Sequence, residues 1–160
     1  MYPIRHLLLV GTLIAFASGA NSFMKIDDLD NYVVKSWETW VMVEDTSTNL
    51  IWEVKTDENY DQRYTWANAL QFCDELNISG RADWRLPNRN ELLSIVDYST
   101  HQPAIDTTYF PYFDEIGHTW SSSTAVDDSS KAYYINPTDG LLHVNDKASI
   151  ENHAICVTDL

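Results

Sequence analysis

The chain has 160 residues, with 24 acidic against 10 basic side chains and a formal net charge of -14. That length holds one domain, or one domain with a short extension. Hydrophobic residues are 44% and aromatic residues 12% of the whole, which excludes a disordered chain. The few Lys and Arg are scattered, which argues against a nucleic-acid partner and a polybasic contact with anionic lipid.

Residues 1–20 read as a secretory signal peptide: Arg5 and His6 lead, Leu7 to Ala17 are almost wholly apolar, and Ser18-Gly19-Ala20 ends the segment. Cleavage is expected after Ala20, with Ala17 as the alternative. A membrane anchor is the competing reading, but the run is short for about 30 Å of hydrocarbon. No Cys follows it to accept a lipid, and no second apolar stretch of spanning length exists. The expected mature chain, 21–160, is a single domain with its core over about 40–158. It loses Arg5 and no acid, so its charge falls by one to -15. Export, to a periplasm or beyond the cell, sets an oxidising context. There the even count, Cys73 and Cys156, favours a disulfide over two buried thiols. Neither Cys has a second ligand at metal-site spacing.

Residues 41–54 predict a hairpin. Val41-Met42-Val43 and Leu50-Ile51-Trp52 flank the turn chemistry of Asp45 to Asn49, and Asn49 is expected in the left-handed region. Residues 55–64 are hydrophilic and read as a loop. Trp66, Ala69, Leu70, Cys73 and Leu76 recur at three and four, predicting a helix capped by Thr65 and ending near 77–80. Cys73 falls on its apolar face. A second helix is expected at Asn88, where Glu91 completes a capping box and Pro87 blocks extension backwards. Residues 99–117 form a long irregular stretch, functional or packed by its own side chains. Strands are expected at 119–123, 131–135, 141–145 and 153–158, with a hairpin turn at Asn136 to Gly140. This order gives an α+β fold with helices packed on short antiparallel strands.

Five strings, in order, carry a family resemblance. They are Asp45 to Trp52, Trp66 to Leu76 with Cys73, Asp83-Trp84-Arg85-Leu86-Pro87 with Glu91-Leu92, Trp120-Ser121-Ser122, and Ala154-Ile155-Cys156-Val157. Together they resemble the Lcl C-terminal domain family, an exported bacterial domain long labelled as of unknown function, over about 40–158. The resemblance implies a C-type-lectin-like fold and pairing of Cys73 on the first helix with Cys156 on the last strand. Asn49 stands where the family usually has Gly, and the usual Arg beside Cys156 is absent.

Trp84 and Trp120 read as core, and Arg85 as satisfying buried carbonyls or an acid such as Asp83. Asp106, Asp114, Glu115, Asp127 and Asp128 lie on predicted loops and are candidates for calcium, which takes six to eight oxygens. No EF-hand spacing and no sugar-binder calcium string supports them, so a solvated acidic face is the competing reading. His101, His118, His143 and His153 are isolated, and no nucleophile, zinc or phosphate motif occurs. The expected function is therefore a non-enzymatic binding module without a resident cofactor, recognising a glycan or a surface protein. Tyr109, Phe110, Tyr112 and Phe113, with Asp127 and Asp128, are the candidate contacts, in loops 99–117 and 124–130. The charge narrows ligands toward neutral or cationic ones, because it repels anionic polymers. A structural subunit of a surface complex is the rival expectation, and a hydrolase hidden in the long loop a third.

Overall fold

The computed structural model describes residues 23–24, 32–37, 40–100, 102–113 and 117–160. Two antiparallel sheets and two helices make an α+β domain. The first sheet runs β1 (Phe23–Met24), β2 (Tyr32–Trp37), β3 (Trp40–Asp45), β4 (Leu50–Val54) and β8 (Val157–Asp159). The second holds β5 (Thr119–Thr124), β6 (Lys131–Asn136) and β7 (Leu141–Asp146). Helices α1 (Trp66–Asp74) and α2 (Arg89–Ser94) lie between them in sequence.

The β3–β4 hairpin forms as expected, with Val43 opposite Trp52 and Asn49 at φ 58°. All five residues of β4 are buried because β3 and β8 flank it and both of its faces are covered. Leu50, Trp52 and Val54 enter one core cluster with Leu92, Ile95 and Ile155, while Ile51 enters another with Cys73, Trp84 and Trp120. β2 extends the sheet beyond the expected core and pairs with β3 over its whole length.

Helix α1 stops at Asp74, short of the expected end. Leu76 N–H turns back to the Cys73 carbonyl, and Ser79 and Gly80 have φ of 56° and 79°. Thr65 occupies the N-cap without a side-chain bond; the first turn is tied down by Trp66 N–H donating to the Lys147 carbonyl. At α2 the capping box is complete. Asn88 Oδ1 accepts from Asn90 and Glu91 N–H, and the Glu91 carboxylate accepts from Asn88 N–H.

The strand expected at 153–158 is shorter, Val157–Asp159. The chain before it crosses between the sheets in single bridges. Asn152 pairs with Tyr64, and His153 lies parallel to Thr119. Cys156, at the end of this crossing, is bonded to Cys73 on α1. Loop 96–105 is stitched to the β6–β7 turn by Gln102 N–H to Thr138 carbonyl (3.0 Å) and Ala104 N–H to Pro137 carbonyl (2.8 Å). Gly140, at φ 71°, is required there, since an added Cβ would lie 2.6 Å from Val96 Cγ1.

Candidate functional site

The long loop is packed by its own side chains. Tyr109, Phe110 and Phe113 are each 2% exposed within the core, with Phe110 edge-on to both Trp52 and Phe113. These three rings present no face to a ligand, and that expectation is corrected: burying them keeps a large apolar area from water. Tyr112 is half-buried, stacked on Tyr60 at 5.0 Å, with its hydroxyl bonded to Asp57. In the other loop, Asp127 is exposed, whereas Asp128 accepts from Ser130 N–H and Oγ and pairs with Lys131 at 3.1 Å. The two loops therefore offer Tyr112, Asp127 and the 79%-exposed Val126, but no ladder of rings.

Asp106 closes a turn by accepting from Thr108 N–H at 2.8 Å. Asp114, Glu115 and His101 lie outside the described residues. No group of three or more His, Cys, Asp or Glu that could hold a metal ion occurs among the described residues.

The residues of the distinctive Trp84-Arg85-Leu86-Pro87 string serve the fold. Trp84 is 2% exposed and donates to the Arg81 carbonyl. Arg85 grips both oxygens of Glu91 at 2.7 and 2.9 Å and also reaches Asp159; Asp83 pairs with Arg81 instead. Trp120 is fully buried and donates from Nε1 to the Tyr64 carbonyl. Glu53 and Lys55 form a buried ion pair at 2.6 Å, and the other Glu53 oxygen accepts from Cys156 N–H. The pair braces the segment that carries the disulfide; buried charges persist only when paired and bonded in this way.

One surface brings together polar groups far apart in sequence. On the β6–β7 ladder Tyr134 lies opposite His143, with rings 5.6 Å apart. The His118 ring is tilted against Tyr134 as well, at 4.5 Å. His118 is exposed, and its carbonyl accepts from His153 N–H. His153 is 3% exposed, and its ring lies near the Tyr60 and Gln62 backbone without a well-formed hydrogen bond. Asn152, 4% exposed, takes Asn145 Nδ2 on its Oδ1 at 3.4 Å and leaves its own Nδ2 unpaired. Arg63 precedes the Tyr64–Asn152 bridge, so its exposed guanidinium borders the same surface. Among the described residues Arg63 has no ion pair.

The electrostatics are those of neutral imidazoles beside a cation. Burial, then the Arg63 and Lys55 charges, push the His153 pKa down to about 4, and the nearby Tyr60 and Gln62 backbone offsets only part of this. Burial also lowers His118, helped by His143 and Arg63 and opposed by Asp139. Asp139 lies 3.9 Å from His143 Nε2, and its other oxygen accepts from Leu141 N–H.

This surface was missed in the sequence because its members lie on four separate segments. One local signal was present: a hairpin centred on Asn136 to Gly140 places Tyr134 across from His143.

No helix among the described residues is long and apolar enough to cross a membrane. No curated protein sequence matches the chain. The strings now seen to build the hairpin, the disulfide-bearing helix and the α2 cap are those that mark one family. The family model for the Lcl C-terminal domain matches residues 41–158, and the chain belongs to that family.

Proposed function

We propose that the chain is an exported, non-enzymatic binding module of C-type-lectin-like architecture, acting in a periplasm or outside the cell. It recognises a glycan or a protein surface. The observation that carries this reading is the pair of exposed imidazoles, His118 and His143, packed on Tyr134. A hydroxyl- or amide-bearing ligand would hydrogen-bond to the ring nitrogens of these two residues. Tyr112, Val126 and Asp127 are additional contacts at the loops. The leader-like residues 1–20 and the Cys73–Cys156 bond support export.

Folded mature protein on a glycan array, and in pull-downs from surface extracts, should retain a ligand that His118→Ala with His143→Ala releases. Blank results in both would overturn the reading. A second reading, an assembly subunit, is favoured by the β7 edge, where Leu141 and Val144 are 52% and 42% exposed. A stable homo-oligomer in solution mass measurements, broken by Val144→Lys, would favour it.

A further inference from the structure

The chain is strongly acidic, yet one surface gathers positive and protonatable groups. We propose that the surface formed by Arg63, His118 and His143 around Tyr134 binds a single carboxylate group, borne by a sugar acid or by a peptide. This deepens the binding-module reading and rests on it.

The backbone assembles the cluster. Tyr64 exchanges two hydrogen bonds with Asn152, N–H to carbonyl in each direction at 2.8 and 3.0 Å, which sets Arg63 beside the crossing segment. His153 N–H then donates to the His118 carbonyl at 2.8 Å, and the His118 and His143 rings both pack against Tyr134. Arg63 is exposed and has no carboxylate partner among the described residues. Guanidinium groups favour two-pronged contact with carboxylate oxygens. The exposed His118 and His143 add N–H donors, while the buried Tyr134 packs against both imidazoles and fixes their positions.

Asp139 is the carboxylate that counters these cations at His118, but it is fixed to its own turn and stands 3.9 Å from His143. Arg63 and His143 disfavour the charged form of His118, and a bound anion would offset that. The global charge of -14 does not forbid this. At physiological ionic strength charges more than about 8 Å away are largely screened, so a small monoanion feels the local cations. A long polyanion would instead run onto the acidic remainder of the surface.

The full mature chain, titrated at mildly acidic pH with D-glucuronate, N-acetylglycine and D-glucose, tests this by the imidazole proton resonances of His118 and His143. Glucuronate or N-acetylglycine should shift both resonances saturably, and glucose should shift neither. Binding of both acids supports a general carboxylate site, of glucuronate alone a sugar acid, and of N-acetylglycine alone a peptide source. Arg63→Gln should weaken binding about tenfold while Arg63→Lys retains part of it. No saturable shift with either acid, or equal binding by Arg63→Gln, overturns the proposal. A glycan array positive only for neutral sugars would do so too, while leaving the binding-module reading intact. Blank array and pull-down results beside carboxylate binding would do the reverse.

Discussion

Four aspartates close turns in the same manner. Asp45, Asp97 and Asp128 each accept from the N–H and Oγ of the serine two residues on, and Asp146 does so from Ser149. Side-chain bonds of this kind substitute for a backbone turn. Ser130, with Lys131, holds the Asp128 pKa down to about 2, and Ser99 and Ser149 lower Asp97 and Asp146. Much of the acidic surplus is thus turn chemistry, which composition alone does not reveal. His153 is the opposite case, a titrating group kept neutral by burial. Its folded pKa of about 4 lies below the ordinary 6.5, so the unfolded chain binds the extra proton between those values. Stability from this group is complete above pH 6.5, falls as the pH drops toward 4, and is then flat. The loss should be on the order of 2 kcal/mol, allowing for solvent screening. Denaturant melts of the parent across that window should show the slope, and His153→Gln should flatten it. An unchanged slope in the variant would place the titration elsewhere.

At the scale of elements, the most distinctive string in the sequence works as one joint. Arg85 pairs through its backbone with Val157 and through its side chain with Glu91, while Glu91 also caps α2. The joint therefore fixes the six-residue α2, too short to be stable alone, against the strand that follows the disulfide. Asn88→Ala should remove the cap from Asn90 and Glu91 N–H and cost about 1 kcal/mol, read as a lower denaturant midpoint. Asn88→Ser should recover most of it. A neutral Asn88→Ala would mean that Arg85 alone holds the helix. The capping box and both hairpins were legible in the sequence because turn and cap residues act within a few positions. The fate of Tyr109, Phe110 and Phe113 was not, because an aromatic run reads alike whether it faces a ligand or Trp52. Nor was the shortened final strand, since Asn152 and His153 pair with residues 34 or more positions away. The candidate surface was legible only in its hairpin half, Tyr134 against His143. His118 and Arg63 reach it through the crossing segment, which no local pattern announces.

Across the whole molecule, that crossing segment joins everything. It carries backbone bonds to Tyr64, Trp120 and Glu53, and its end is bonded to α1 through Cys156 and Cys73. The sequence separation of 83 residues spans α2, the long loop and the entire second sheet. Tying such a span restricts the unfolded chain strongly, and loss of a native disulfide typically costs about 2 to 5 kcal/mol. The native side should be disturbed little by small replacements, because both sulfurs lie in a closed apolar cluster with Trp84 and Trp120. Cys73→Ala with Cys156→Ala should therefore fold but melt earlier by that amount, and its melting should no longer respond to reductant. Cys73→Ser alone should be worse, adding a buried hydroxyl, and should release one thiol per chain on unfolding. The same double variant also probes the candidate surface. Asn152 and His153 hold their places through backbone bonds to Tyr64 and His118 rather than through the disulfide, so at low temperature the His118 and His143 resonances should stay unchanged. If they move, the bond sets the geometry of the surface as well as the stability of the fold.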